Sequence, residues 1–188
     1  MACSEGKEQA RKSSVARFSV PQRIQASSLE RALLSQAQHG TFPYADGDIS
    51  VWNMGLGPRV LLVHGWDSRG SHLAAFVKPL LRAGFAVTLF DLPAHGDSGG
   101  SLSSPVHAGR ALAALAEHLG PIHGVIAHSL GSAASLWAFA HGLSVNASVH
   151  LCGPSSLSPM LQLQALGHGL TAEEQREFST WVEQHIGI

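Results

Sequence analysis

Short apolar runs alternate with helical patterns along the middle of the chain. Residues 60–63, 85–90 and 122–127 form apolar runs of the kind expected for strands that are buried on both faces. Between the runs, apolar residues recur at helical spacing, first at Leu73, Phe76, Val77, Leu80 and Leu81, and then at Leu112, Leu115 and Leu119. Strands that alternate with helices predict an α/β fold with a parallel sheet covered on both faces.

The flanking segments predict smaller elements. The leucines within residues 29–34 indicate a short helix or an irregular segment, and residues 49–54 alternate as in an edge strand. Residues 145–152 predict a further strand, in which we expect the thiol of Cys152 to be buried. Pro79 is expected to kink the helix that contains it or to restrict its last turn.

The most informative turn lies between the run at 122–127 and the small residues that follow Ser129. A sharp turn from strand to helix brings the two elements close together, so the residues two before and two after the serine must be small. Ala127 and Gly131 meet this requirement. The pattern predicts a turn that presents the Ser129 hydroxyl as a nucleophile, and the alternative is a serine that only caps the helix.

Three motifs make the chain resemble the α/β-hydrolase superfamily over roughly residues 40–153. His64-Gly65-Trp66 is similar to the His-Gly turn after the third strand of that family, and residues 91–98 are similar to its Asp-x-x-x-His-Gly-x-Ser loop after the fourth. Residues 127–131 are similar to the Gly-x-Ser-x-Gly nucleophile elbow, with alanine in the first glycine position. The resemblance implies a doubly wound, mostly parallel sheet.

The resemblance also implies a reaction. Ser129 would attack an acyl carbonyl to form an acyl-enzyme, and the backbone N–H groups of Trp66 and Leu130 would form the oxyanion hole. The implied function is a serine hydrolase that acts on carboxylic esters or related small acyl compounds without a cofactor. Haloalkane dehalogenases and epoxide hydrolases of the family use an aspartate nucleophile, and Ser129 argues against those activities.

Other polar residues of the motifs are expected to be structural. We expect His64 and His95 to make structural hydrogen bonds and Asp91 to shape its loop. His128 adjoins Ser129 but cannot be its base, because adjacent residues at the elbow point in different directions.

One pentapeptide resembles a different family. Residues 96–100, Gly-Asp-Ser-Gly-Gly, are identical to the segment around the nucleophile of chymotrypsin-like proteases. Those enzymes are β-barrels, whereas this segment follows a strand of a parallel sheet. The sequence therefore predicts that Ser98 is not a nucleophile.

The acid and the histidine of a catalytic triad remain unassigned. The family order is serine, then acid, then histidine, but no aspartate follows Asp97. The later carboxylates and histidines are Glu173, Glu174, Glu177, Glu183, His141, His150, His168 and His185, and none follows a strand in the expected place. We therefore expect a chain truncated within the cap region, without the last two strands of the sheet. The alternative is a catalytically incomplete hydrolase-like protein.

The predicted organisation has three parts: a flexible tail (1–22), the α/β-hydrolase core through the sixth strand (23–153) and an incomplete helical cap (154–188). The cap contains a capping box, Thr171-x-x-Glu174, and an apolar face with Phe178, Trp181 and Val182. Without further strands, the sixth strand would be an exposed edge that favours self-association.

Composition excludes several classes of function. A net charge of −1 over 188 residues gives no electrostatic case for binding nucleic acid or an anionic membrane. No apolar run is long enough to span a bilayer, and the N-terminus lacks the core of a signal peptide, so we expect a cytoplasmic protein. Cys3 and Cys152 are too few for a disulfide framework, and the 12 histidines form no compact metal-binding pattern.

Overall fold

The computed structural model describes residues 19–45, 47–154, 171–173, 175–176 and 180. Within them, six strands form one sheet in the order β1-β2-β4-β3-β5-β6. The strands are β1 (Gln38–Phe42), β2 (Ile49–Met54), β3 (Arg59–Val63), β4 (Ala86–Phe90), β5 (Ile122–His128) and β6 (Ala147–Leu151). β3 pairs in parallel with β4 and β5, and β5 pairs in parallel with β6, whereas β1 and β2 pair antiparallel. The predicted α/β fold with a mostly parallel sheet is confirmed.

Four α-helices flank the described strands: α1 (Ser28–Leu34), α2 (Val77–Arg82), α3 (Pro105–Leu119) and α4 (Leu130–Ala140). A 3-10 helix (Gly70–Phe76) leads directly into α2. Pro79 is the third of the six residues of α2. The helix changes from 3-10 to α geometry between Phe76 and Val77, before the proline, and α2 ends three residues after the proline. A kink or a restricted last turn at Pro79 stays a prediction.

β2 is an inner strand, which corrects the prediction of an edge. β1 pairs along its outer side, from Gln38 opposite Asn53 to Phe42 opposite Ile49. The sequence of β1, QHGTF, is polar, and four of its five residues are exposed, so it lacks the alternation that reveals a strand.

The core lies on both faces of the sheet, as the apolar runs predict. Along β3, Leu61 and Val63 pack with residues of α3 and α4, including Leu112. Leu62 packs on the opposite face with Val77 of α2. Alternate residues of one strand thus belong to opposite layers of core, which explains why β3 is a continuous apolar run.

β6 is more exposed than its apolar pattern suggests. Its first three residues are exposed, and Val149 keeps 49% of its surface accessible. Cys152 is also exposed, which contradicts the expectation of a buried thiol. The chain leaves the sheet after Leu151, and Cys152 adopts a positive φ of 51° in the turn.

Residues 21–153 form one compact unit, and residues 1–20 and 154–188 are grouped in a second. Most of the predicted tail and cap, including Glu174, Phe178, Trp181 and Val182, lies outside the described residues. Within the described part of the cap, the Gln175 N–H donates to the Thr171 carbonyl at 2.9 Å. No described helix is long and apolar enough to cross a membrane.

Candidate active site

Ser129 lies at the junction of β5 and α4 in an unusual backbone conformation. Its φ of 49° and ψ of −115° fall in a region that non-glycine residues rarely adopt. The Ser129 N–H donates to the carbonyl of Leu151, at the end of β6, at 2.9 Å. The turn predicted from the sequence is therefore present and is held from the neighbouring strand.

The Ser129 hydroxyl does not cap the helix that follows it. Ser129 occupies the N-cap position of α4, but its side chain makes no capping hydrogen bond. Its carbonyl accepts from the N–H groups of Ser132 and Ala133, at 2.9 and 3.4 Å. The helix thus begins on the serine backbone, and the half-buried hydroxyl is not used as a cap.

Gly131 shows why a small residue is needed after the serine. A Cβ atom at Gly131 would lie 2.3 Å from the carbonyl oxygen of Val63 and 2.6 Å from that of His64. Backbone cannot move aside as a flexible side chain can, so the first turn of α4 approaches the end of β3 only with glycine here. Ala127, two residues before the serine, is fully buried and pairs with Val63.

The turn after β3 lies against the elbow. A Cβ atom at Gly65 would lie 3.2 Å from the Ser129 Cβ and 3.0 Å from the His128 Nδ1. Trp66 follows in the same turn, and Leu130 is the first residue of α4, where backbone N–H groups have no helical acceptor. The structure therefore brings Ser129, Leu130 and the turn that contains Trp66 to one edge of the sheet.

His64 makes the structural hydrogen bonds expected of it. Its Nδ1 lies 2.7 Å from the Gly65 carbonyl oxygen, and its Nε2 accepts from the Leu92 N–H at 2.8 Å. Burial, the largest cause, lowers the pKa of His64 to about 3. The ring is therefore neutral and joins the turn after β3 to the end of β4.

His95 is buried beside His64 and Trp66. Its ring lies edge-on to Trp66, with 5.3 Å between centroids, and its Nδ1 lies 2.9 Å from the Pro93 carbonyl oxygen. Burial lowers the pKa of His95, so the ring is neutral as well. Its Nε2 is buried without a hydrogen-bond partner in the described part of the chain.

Asp91 joins the loops that follow β3 and β4. Its carboxylate accepts from the Gly70 N–H at 2.7 Å and from the Asp97 N–H at 2.8 Å. Burial raises the pKa of Asp91, although these two N–H groups and the Arg69 guanidinium act in the opposite direction. The expected loop-shaping role of Asp91 is confirmed by these contacts.

Arg69 is a buried residue that the sequence patterns did not single out. Its side chain is 1% exposed and lies 3.5 Å from Asp91 and 2.6 Å from Asp97. An arginine in a turn is ordinarily expected to be exposed. The only signal in the sequence for burial of Arg69 is the pair of aspartates, Asp91 and Asp97, on the next loop.

Ser98 is part of the loop framework. Its hydroxyl donates to the Asp91 carbonyl at 2.6 Å and accepts from the Ser50 N–H at 2.9 Å, and the residue is buried. Both hydrogen-bonding roles of the hydroxyl are therefore taken, in agreement with the prediction that Ser98 is not a nucleophile.

Strained residues mark the same edge of the sheet. Among the described non-glycine residues, Asp67, Ala94, Ser129 and Cys152 have positive φ values. They follow β3, β4, β5 and β6 in that order. Strained residues cluster at functional sites, but nothing in the sequence signals the three besides Ser129, because none is a glycine.

The structure brings none of the described candidate partners to Ser129. His141 stacks on Trp137 at the C-terminal end of α4, the opposite end from the serine. The His150 ring lies 3.2 Å from the Ser148 hydroxyl, and Glu173 is exposed. The other candidate acids and histidines, Glu174, Glu177, Glu183, His168 and His185, lie outside the described residues. The described part of the chain also contains no cluster of side chains that could hold a metal ion.

Comparisons with known proteins agree with this architecture. The sequence profile of the alpha/beta hydrolase family matches residues 60–184. A 44-residue stretch, 23% of the chain, is 50% identical to 17% of pimeloyl-[acyl-carrier protein] methyl ester esterase from Methylococcus capsulatus. The N-acyl homoserine lactonase AidH superposes on 66% of the chain with a TM-score of 0.59 and 21% identity, and epoxide hydrolase VrEH1 from Vigna radiata superposes on 65% with a TM-score of 0.59 and 22% identity.

These proteins are longer than the matched region. The chain covers 48% of the lactonase and 42% of the epoxide hydrolase. At these identities the two structures support the fold alone. The family profile, by contrast, matches more than half of the chain, and the matched range includes the three motifs at residues 64–66, 91–98 and 127–131. The chain therefore belongs to the alpha/beta hydrolase family.

Proposed function

We propose that this protein is a serine hydrolase that acts on carboxylic esters or related small acyl compounds through Ser129. The observation that carries the proposal is the combination at Ser129 of a strained backbone with a hydroxyl that does not cap α4. A serine that served only the helix would donate its side-chain oxygen to the N-terminal N–H groups and would need no positive φ.

The proposed reaction has two steps. In the first, the Ser129 oxygen forms a bond to the acyl carbon, the alcohol leaves, and the serine proton passes through a histidine base to the leaving oxygen. In the second, water attacks the acyl-enzyme and releases the acid. The proposal assigns the base and its orienting acid to residues outside the described ones, because no described histidine or carboxylate is hydrogen-bonded to the Ser129 hydroxyl.

The oxyanion that forms in each step needs preorganised donors. The proposed donors are the backbone N–H groups of Leu130, at the positive end of the α4 dipole, and of Trp66, in the turn against the elbow. Loss of one such donor typically costs about 2.7–4 kcal/mol of transition-state stabilisation.

The similar esterase favours an acyl substrate. Its name describes a protein that acts on a methyl ester, and that bond is a carboxylic ester. The epoxide hydrolases share the fold, but an epoxide carries no acyl carbon for a serine to attack. Ser129 at the elbow therefore supports ester rather than epoxide hydrolysis.

A second candidate is a hydrolase-like protein that lacks a complete triad. It is favoured by one observation: within residues 19–45 and 47–154, no carboxylate or imidazole is hydrogen-bonded to the Ser129 side chain. Such a protein would keep the elbow as an element of the fold and would not turn over esters.

Hydrolysis of a short p-nitrophenyl ester distinguishes the serine hydrolase from the hydrolase-like protein without a complete triad. The proposal predicts turnover that is lost in Ser129→Ala and retained in Ser101→Ala, a matched change at an exposed serine beside the same edge of the sheet. Turnover equal to the uncatalysed rate in the native chain, or turnover that survives in Ser129→Ala, contradicts the proposal.

A further inference from the structure

Two hydrogen bonds hold the imidazole of His64 in a single form. The Leu92 N–H can only donate, so Nε2, at 2.8 Å, must be an unprotonated acceptor. The Gly65 carbonyl oxygen can only accept, so Nδ1, at 2.7 Å, must carry the proton. The ring is completely buried, and no other tautomer or charge state satisfies both partners.

The Gly65 carbonyl belongs to the peptide whose N–H is that of Trp66. No peptide bond in the described chain is cis, and in a trans peptide the C=O and N–H bonds point in opposite directions. A bond that fixes the Gly65 carbonyl toward the His64 ring therefore fixes the Trp66 N–H toward the other side of the turn.

The same turn lies against the nucleophile. The side of Gly65 on which a Cβ would stand faces the Ser129 Cβ at 3.2 Å and the His128 ring at 3.0 Å. The turn therefore has His64 and the end of β4 on one side and the elbow on another. Rotation of the Gly65–Trp66 peptide by half a turn would exchange the directions of the Gly65 carbonyl and the Trp66 N–H.

We propose that His64 is a positioning residue of the oxyanion hole. The Nδ1–H of His64 holds the Gly65 carbonyl. The Leu92 N–H, by donating to Nε2, keeps the ring in the tautomer that has its proton on Nδ1. The Trp66 N–H is thereby kept turned toward the reacting carbonyl. His64 contacts neither substrate nor Ser129. This inference rests on the proposed serine hydrolase activity and adds a residue that acts through the backbone of another.

The kinetic test compares two substitutions in the full chain. His64→Phe retains the volume of the ring but removes donor and acceptor, whereas His64→Gln retains one of each. With the p-nitrophenyl ester, we expect kcat to fall by about 10²-fold or more in His64→Phe with little change in KM, because loss of an oxyanion donor acts on the transition state. His64→Gln should recover at least part of the lost kcat.

A second measurement needs neither a variant nor activity. Long-range ¹H–¹⁵N NMR of the native chain at neutral pH should show His64 with a protonated Nδ1 and an unprotonated Nε2. A protonated Nε2 would overturn the inference, because that ring could not accept from Leu92 while donating to Gly65.

The outcomes separate this inference from the activity on which it rests. A native chain that does not hydrolyse the ester contradicts the proposed function, and this inference falls with it. An active native chain in which folded His64→Phe keeps its kcat, or in which both variants lose activity only through KM, contradicts the inference alone. Thermal unfolding of each variant checks that it is folded.

Discussion

The backbone of Ser129 carries a conformational cost. A non-glycine residue in such a conformation costs about 1–3 kcal/mol of stability and persists only where its surroundings enforce it. The hydrogen bond to Leu151 and the close approach of Gly131 to Val63 enforce it here. These contacts hold the side chain of Ser129 in place without using its hydroxyl.

Ser98 contrasts with Ser129, because the hydroxyl of Ser98 is used in the loop framework. Its hydroxyl bonds the Asp91 carbonyl and the Ser50 N–H, so Ser98→Ala leaves two buried backbone groups without a partner. We expect the free energy of unfolding in urea to fall by about 1–3 kcal/mol while kcat for the ester stays near that of the native chain. A folded Ser98→Ala with the same loss of kcat as Ser129→Ala would revive the protease interpretation.

The buried ring of His64 makes stability depend on pH. Its pKa is about 6.5 in an unfolded chain and about 3 in the fold, chiefly owing to burial. Between pH 6.5 and pH 3 the unfolded state therefore binds more protons than the folded state. The stability that the neutral ring contributes above pH 6.5 is lost as the pH falls toward 3.

Urea unfolding at about pH 8 and about pH 5.5 measures the effect. His64 should account for about 1 kcal/mol of the stability lost between the two, and that part should be absent in His64→Gln. His95 and Asp91 titrate in both proteins, so the difference between them isolates His64. Equal losses in the two proteins would contradict the buried neutral ring.

The motif sequences were sufficient to predict several roles of single residues. The strand-end positions of His64, His95 and Asp91 indicated hydrogen bonds that the structure contains. Burial of Arg69 and exposure of Cys152 depend on which loops meet across the sheet, and no local pattern encodes that contact.

At the scale of elements, the elbow depends on the distance between α4 and β3. Gly131→Ala places a methyl group against two carbonyl oxygens at the end of β3, at 2.3 and 2.6 Å. We expect a loss of about 1–3 kcal/mol in the free energy of unfolding, together with lower ester turnover as Ser129 shifts.

Gly40→Ala is the matched control for that substitution. A Cβ at Gly40, on β1, would meet nothing within 4 Å, so its effect should stay within about 0.5 kcal/mol. Equal effects of the two alanines on thermal unfolding would show that the approach of α4 to β3 does not require glycine.

Elements with strong patterns were predictable, and elements without them were not. The apolar runs of β3, β4 and β5 are buried on both faces, so their sequence reflects their environment directly. β1 is exposed and polar, so only its pairing with β2 makes it a strand. The 3-10 helix before α2 shares the apolar spacing of an α-helix, which concealed the break at Phe76.

At the scale of the whole molecule, β6 is an edge of the sheet in the described residues. Its exposed residues include Val149 at 49%, and edge strands of this kind pair with other chains. We expect the protein to self-associate through this edge. Val149→Lys should reduce that association, as measured by light scattering.

Leu56→Lys is the control for the change from apolar to charged. Leu56 is 92% exposed in the turn between β2 and β3, two strands that β5 separates from β6, so its substitution should leave association unchanged. A monodisperse monomer for the native chain, or an equal effect of the two lysines, would contradict association through β6.

Activation of Ser129 as a nucleophile can be measured without a substrate, by intact-mass spectrometry after reaction with a fluorophosphonate probe. Attack by an activated serine oxygen on phosphorus expels fluoride and leaves one stable adduct. We expect a single adduct that maps to Ser129, forms on the folded chain and is absent from Ser129→Ala. No adduct on the folded native chain, or an adduct on another serine, would contradict it.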